Sequence, residues 1–194
     1  MALEHLRRVV VLGGGALGVS SALHLAKRGA AVTLVTEAEL CSGASGRSLS
    51  WLNSAGERSA PYHALRMAGI DRYRTLFAAD PTRDWLRFDG GLFWEADNLS
   101  GTRARHAYEK ALGYDSKLVT RDSLAQADAQ VESAALGQEA IFNPGEGWVS
   151  LPHLVAHLAQ QLRALGGEIV EHAGKCEVLR DGKRASGVRL ASGD

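Results

Sequence analysis

Little in this chain invites a covalent or metallic framework. Its 194 residues include two cysteines, Cys41 and Cys176. They lie far apart, with no cysteine or histidine at metal-ligand spacing, so a disulfide scaffold and a zinc module are set aside and two reduced thiols are expected. Charge of one sign is also lacking. Lys plus Arg and Asp plus Glu both number 22, which offers no general affinity for nucleic acid or an anionic membrane. No apolar run approaches the roughly 18 residues that span a bilayer. The apolar stretch behind Arg7 and Arg8 breaks at Gly13 with no small-residue cleavage site after it, so it reads as a buried strand rather than a signal peptide. These absences predict a cytoplasmic protein. What is present, 45% hydrophobic and 23% charged residues, is the composition of a soluble globular chain, long enough for one domain or for one domain with a small insertion.

Residues 8–12, "RVVVL", are β-branched and apolar, and predict a fully buried strand. Residues 16–28 follow as a helix with Leu17, Gly18, Ser21, Ala22 and Leu25 on one face, closed by Gly29. A second buried strand is predicted over residues 31–35. Strand, glycine turn, helix and strand within about thirty residues make a right-handed βαβ unit. Residues 38–56, rich in Ser and Gly, read as an extended loop, and residues 62–79 as a helix stopped at Asp80-Pro81.

The stretch from Trp85 to Ala140 changes character. "RFDGGLFWEA" reads as a strand pair or bent strand around Gly90-Gly91. A polar helix over 100–112, a strand over 117–120 and a helical turn over 122–126 come next. Residues 151–165 form a second clear helix, with Ser150 as N-cap, Pro152 in the first turn and an apolar stripe of Leu154, Val155, Leu158, Leu162 and Leu165. Strands over 168–171 and 175–179 are followed by a turn at Asp181-Gly182 and a returning strand.

The chemistry concentrates in the first turn. Gly13, Gly15 and Gly18 satisfy G-x-G-x-x-G, with the strand before and helix after that the motif requires. The first glycine lets the chain leave the strand, the second admits a pyrophosphate to the backbone, and the third lets helix and strand pack closely. Gly14 adds backbone freedom, and Ala16 and Leu17 carry the first helical amides. Those unpaired N–H groups and the helix dipole favour an anion. A carboxylate at the end of the second strand would take the ribose hydroxyls and repel a 2′-phosphate. Glu37 is the acid there, but counting along the strand puts the position on Thr36, so both are candidates.

Further motifs extend the pattern. "GGGALGVSSALHLAKRGAAVTLVTE" followed by "SGASGRSLSW", then "FDGGLFWE", "AIFNPGEGWVSLPHLVAHLAQQLRALGGEI" and "CEVLRDGKRASGVRLASGD", resemble in order the FAD-dependent oxidoreductases of the D-amino acid oxidase and glycine oxidase type. The resemblance implies a Rossmann-like α/β FAD-binding domain interrupted by an α+β substrate-domain insertion. In this chain that means residues 1–84 and 148–194 for the flavin domain and 85–147 for part of the substrate domain. It implies that Gly13 to Gly18 hold the FAD pyrophosphate, and that Ala44, Ser45, Arg47 and Ser48 run along the cofactor toward the flavin. The backbone at Cys176 would meet the adenine, and Trp51 and Asn53 would approach the flavin. Some members attach flavin covalently; here the Ser/Gly loop has no histidine and Cys41 matches no attachment pattern, so non-covalent FAD is implied.

The implied reaction oxidises the C–N bond of an amine or amino acid by hydride transfer to flavin, with the electron acceptor left open. The family's chain normally continues past residue 194, and its substrate-binding residues lie in that later part, so the sequence reads as the N-terminal portion of a longer enzyme. Two other readings stand beside this one: a non-catalytic dinucleotide-binding fragment, and an NAD-dependent dehydrogenase. The latter gives "GEGWVSLPHL" and "SGASGRS" no natural role. Among the remaining residues, Trp85, Trp94 and Trp148 read as core or interface aromatics, His63 as structural ahead of catalytic, and Arg58 and Arg66 as solvated charges.

Overall fold

The computed structural model describes residues 7–127, 132 and 137–193, so Asp194 lies outside the described residues. Strand β1 (Arg8–Leu12), helix α1 (Ala16–Lys27) and strand β2 (Ala31–Val35) form the expected βαβ unit, and β1 and β2 pair in parallel with Val10 opposite Thr33. The Ser/Gly loop is not wholly extended. It contains a 3-10 turn, Ala44–Arg47, and a short strand β3 (Trp51–Leu52). Helix α2 (Ala60–Ala79), strands β4 (Leu86–Arg87) and β5 (Gly91–Phe93), helix α3 (Leu99–Ala111), strand β6 (Lys117–Thr120) and helix α4 (Arg121–Ala127) follow. Then come β7 (Glu139–Asn143), β8 (Gly147–Val149), α5 (Leu151–Ala164), β9 (Glu168–Val170), β10 (Glu177–Asp181) and β11 (Arg184–Arg189).

The chain divides into two compact units, one made of Met1–Leu49 with Ser150–Asp194 and the other of Ser50–Val149. The first holds a parallel sheet in the order β1-β2-β9 and the β10-β11 hairpin. The core on this sheet is apolar and well buried. Val19, Ala22 and Leu23 of α1 meet Val32 and Leu34 of β2 and Val155, Ala159 and Leu162 of α5. This is the Rossmann-like α/β architecture the βαβ pattern predicts.

Three details differ from the sequence reading. Strand β1 is not fully buried: among the described residues it pairs only with β2, and Val10 and Leu12 remain 43% and 44% exposed. In α1 the buried stripe is Val19, Ala22 and Leu23, while Leu17 is 87% exposed. Leu17 occupies the first turn, where the helix faces the cleft described below rather than α5. In α5, Ala159 takes a core place and Leu165, beyond the last helical residue, turns out to solvent.

The second unit is α+β, as expected for an insertion. It holds two antiparallel sheets, β3-β8-β4 and β5-β7-β6. β4 and β5 are therefore not a hairpin, because Gly90, with φ of +92°, turns the chain from one sheet to the other. The sequence reading sets the first boundary after residue 84, whereas the chain divides after Leu49. The reason is β8: it pairs with β3 on one side and β4 on the other, which binds residues 51–87 to the inserted unit.

Candidate functional site

Strand β1 ends where Gly13 takes φ of +117° and its N–H donates to the Val35 carbonyl at 2.8 Å. Only glycine adopts that angle at low cost, and the hydrogen bond locks the turn to the end of β2. The other glycines are needed for space. A Cβ on Gly18 would overlap the Gly13 carbonyl oxygen, and one on Gly14 would lie 2.7 Å from Thr36 Oγ1. A Cβ on Gly15 would meet a side-chain hydroxyl, Ser45 Oγ, at 3.0 Å. The first and third motif glycines thus serve the sharp turn and the close helix packing that the motif predicts, and Gly14 makes room for Thr36.

Above this turn lies a cleft of about 430 Å³, lined by Leu12, Gly13 to Gly18, Thr36, Glu37 and Ser42 to Ser45. The expected residues Gly13, Gly14, Gly15, Ala16, Leu17, Gly18, Thr36, Glu37, Ala44 and Ser45 are all brought together here. Gly43, of the loop that the resemblance runs along the cofactor, lines it too; Leu12 and Ser42 were not anticipated, although Ser42 belongs to the same Ser/Gly run. The open choice between Thr36 and Glu37 ends with both at the cleft in different surroundings. Thr36 is buried against Gly14, while Glu37 keeps an exposed side chain. Their backbone is tied down on the far side: the Ala173 and Gly174 N–H groups donate to the Thr36 and Glu37 carbonyls, each at 3.0 Å.

The helix end opens on this cleft. The first ladder bond of α1 runs from the Val19 N–H to the Gly15 carbonyl at 3.0 Å, and no acid occupies its first turn to offset the dipole. The Ala16 N–H donates to Ser45 Oγ at 3.0 Å, so the 3-10 turn supplies the cap that Gly15 lacks. Ser45→Ala should cost about 1 kcal/mol in chemical denaturation; an unchanged midpoint would show that the contact carries no stability.

The remaining expected residues lie off the lining. The Arg47 guanidinium folds back on its own loop and donates to the Ser42 carbonyl at 3.3 Å. Ser48 follows the 3-10 turn as its C-cap. Cys176 sits just ahead of β10, with Sγ 3.5 Å from the Gly174 carbonyl. Cys41 is buried beneath the turn, its N–H donating to the Gly14 carbonyl at 2.9 Å, and burial pushes its thiol up.

The inserted unit has a buried polar cluster that sequence reading missed. Glu109 of α3 and Glu146 of the β7–β8 turn are 1% and 0% exposed. Glu109 Oε1 accepts from the Gly56 N–H at 2.8 Å and from Arg105 Nε at 2.9 Å. Glu146 Oε1 accepts from the Tyr114 hydroxyl at 2.7 Å, and that hydroxyl accepts from the Ser54 N–H at 3.0 Å. Burial pushes the Glu146 carboxyl up to about 6; the Tyr114 hydrogen bond works against this and the Glu109 charge adds to it. The available sequence signal was a single acid, Glu146, bracketed by two glycines.

His63 belongs to the same cluster. It is buried, 2.9 Å from Ser54 Oγ and edge-on to Tyr114, which is a structural setting. Trp51 and Trp148 are register partners on β3 and β8, 42% and 41% exposed, so Trp148 is not a core residue. Trp85 and Trp94 are half-buried. The Asn53 side chain donates to the Trp51 carbonyl at 3.2 Å. Arg58 and Arg66 are not solvated charges. Both stack on the Tyr62 ring, 6.0 and 5.5 Å from its centroid, and Arg66 Nε donates to the Asn53 carbonyl at 2.7 Å.

The DAO family, described as FAD dependent oxidoreductase, matches residues 8–194. The chain belongs to that family. A glycine oxidase of Geobacillus kaustophilus (strain HTA426) is 25% identical over 190 residues, 92% of this chain and 49% of the relative. The crystal structure of glycine oxidase from Bacillus cereus superposes with a TM-score of 0.81 at 23% identity, covering 97% of this chain and 52% of that one. An L-amino acid deaminase from Proteus myxofaciens, in complex with anthranilate, gives a TM-score of 0.81 at 22% identity, with 100% and 44% covered. The chain spans about half the length of the relatives it matches. Among the described residues no group of three or more His, Cys, Asp or Glu side chains could hold a metal ion, and no helix is long and apolar enough to cross a membrane.

Proposed function

We propose that this chain binds FAD non-covalently at the glycine turn and forms the cofactor-holding part of an oxidoreductase acting on the C–N bond of an amine or amino acid. The observation that carries the reading is the cleft over Gly13 to Gly18. It runs along a helix N-terminus where the Ser45 hydroxyl, not a side chain on Gly15, stands over the turn, and it is free of any acid in the helix's first turn. Those features fit a diphosphate, and membership of a FAD-dependent family supplies the rest.

In this reading the amides of the first α1 turn hold the diphosphate, and Ser45 turns its hydroxyl between Ala16 and a phosphate oxygen. Thr36 and Glu37 face the adenosine ribose. Ala44 allows close approach, Arg47 and Ser48 continue along the cofactor, and the Cys176 backbone meets the adenine. Attachment through Cys41 would need a thiolate, which its burial disfavours, and residues 42–48 contain no histidine. The chemistry supplied by bound flavin is acceptance of a hydride from the carbon that bears nitrogen. Glycine oxidase and L-amino acid deaminase, the relatives named above, support a substrate of that class.

Thermal unfolding of the full chain with FAD or NAD tests the reading. FAD at a hundredfold excess over its dissociation constant should stabilise by about 2.7 kcal/mol, roughly 8 °C for a domain of this size. No shift with FAD, or an equal shift with NAD, would sink it.

A further inference from the structure

Among the described residues of the inserted unit, three buried side-chain oxygens lack a hydrogen-bond partner of good geometry: Glu109 Oε2, Asn143 Oδ1 and Glu146 Oε2. All three residues are at most 2% exposed. Each is an acceptor unless protonated, and a buried acceptor without a donor is costly. Two of them share one face of a sheet. Asn143 is the register partner of Gly91, and directly opposed residues of an antiparallel pair point to the same side, their Cβ atoms about 5 Å apart. A Cβ on Gly91 would run into Glu146 Oε2. The Asn143 amide and the Glu146 carboxyl are therefore neighbours, two acceptors facing a common space. One hydrogen on Glu146 Oε2 would satisfy both.

The same carboxyl holds a neighbouring segment. The Ser54 N–H reaches Glu146 through the Tyr114 hydroxyl, and the Gly56 N–H reaches Glu109 directly. Strand β3, at the head of that segment, is only two residues long, and the segment is also held by Arg66, which donates to the Asn53 carbonyl, and by His63 against Ser54 Oγ. We propose that Glu146 is a buried proton-binding site whose proton, carried on Oε2 and donated to Asn143 Oδ1, keeps segment 51–56 closed on α3.

The charges around it explain why a proton is needed. Arg105 and Glu109 face it from α3, and Arg105 is spent on Glu109. Tyr114 follows α3, and burial pushes its hydroxyl up, so it stays neutral. His63 of α2 stands behind Ser54. Arg74 of α2 donates to the Gly145 carbonyl and pairs with Asp71, while Arg87 of β4 turns to the Pro81 carbonyl. Among the described residues, the cation that still favours an ionised Glu146 is Arg105, and it is already paired with Glu109. Once ionised, Glu146 stands against the Glu109 charge, and its burial outweighs the help of the Tyr114 and Trp51 hydrogen bonds; water entering past the half-exposed Trp51 is the cheapest relief.

The sign follows from the raised proton affinity. The brace is complete below the ordinary carboxyl value of 4.5 and is lost as pH rises through about 6. That interval bounds the effect at roughly 30-fold, tenfold per pH unit.

Amide hydrogen exchange of the full chain between pH 4.5 and 7.5, corrected for the intrinsic rate, reads this directly. Protection of the Ser54 and Gly56 amides should fall by roughly tenfold or more across a step near pH 6, while β2 and α5 amides hold. In Glu146→Gln the step should vanish with the segment still protected, because the amide N–H₂ replaces the acid proton. Asn143→Leu removes the acceptor and should move the step to lower pH, which gives a second reading if Glu146→Gln does not fold. A flat wild-type profile would overturn the proposal; it would mean that Asn143 presents its N–H₂ to an ionised Glu146. A step that survives Glu146→Gln and disappears in His63→Gln would also overturn it, by moving the proton to the imidazole.

Discussion

Gly18→Val is expected to lower the thermal midpoint by about 10 °C and to abolish stabilisation by FAD. The new Cβ would overlap the Gly13 carbonyl oxygen, which is backbone and cannot rotate away. Gly13 is pinned by its own N–H bond to Val35 and by its positive φ. Relief has to come either from sliding α1 off the sheet, which opens the core of Val19, Ala22 and Leu23, or from pulling β1 out of register with β2. Overpacking of this kind costs about 3 kcal/mol, and the gain from a better helix former than glycine is only a few tenths of a kcal/mol. The overlap therefore wins.

Gly15→Ala makes the contrast. Its Cβ would meet only the Ser45 hydroxyl, which can rotate, so stability should change by less than about 1 kcal/mol while FAD stabilisation falls. Differential scanning calorimetry with and without FAD separates the two variants. Equal behaviour of both would show that the third glycine does not govern the packing.

The second large effect is expected at Glu109. Glu109→Ala removes the acceptor for the Gly56 N–H and leaves Arg105 without its partner. Two hydrogen bonds to a buried charged group are worth about 4 kcal/mol together. The opposing effect is the relief of Glu146, whose carboxyl the Glu109 charge helps to push up, but burial is the larger cause of that shift and stays in place. A net loss of about 3 kcal/mol remains, consistent with breaking a buried pair whose cation is partly solvated. Glu177→Ala breaks the exposed pair with Arg189, whose two side chains are 69% and 54% exposed, and should change stability by less than about 1 kcal/mol. Urea denaturation of both variants decides the matter, and a Glu109→Ala loss no larger than that of Glu177→Ala would refute it.

The parts of the fold that could be read from sequence are those with strong local periodicity. The bounds of β1 and β2 came out as expected, and α1 and α5 within one residue at their C-terminal ends. An apolar run next to glycines, or an apolar stripe next to a serine at the N-cap position, is a local signal, although the Ser150 hydroxyl meets His153 Nδ1 rather than a helix amide. Strands β3, β7 and β8 were not legible. β3 and β8 are two and three residues long and exist only because each finds the other across about a hundred residues of chain. The bend at Gly90 was legible as a bend, but not as a change of sheet.

The cleft follows the same division. Its glycines are spelled out by spacing, because a turn and a helix start are set within a few residues. The Ser45 cap on Ala16 bridges 29 positions, and composition alone marks such a serine only as part of a loop. Thr36 and Glu37 could not be separated from sequence, since the two alternate across the strand end and only the position of Gly14 shows which is covered. Leu17 and Leu165 show the limit of periodicity: apolar residues at a helix end keep the pattern but lose the neighbour.

The sequence by itself determined the βαβ turn and the place of the amides proposed to hold phosphate, because these depend on residues close together in the chain, and the family, through motifs taken in order along the whole chain. The tertiary structure decided how the Ser/Gly loop closes over that turn, where the inserted unit begins, and that two acids remote in sequence are buried together. These depend on contacts between distant segments, and the free energy of burying Glu109 and Glu146 is set by neighbours that no local pattern names.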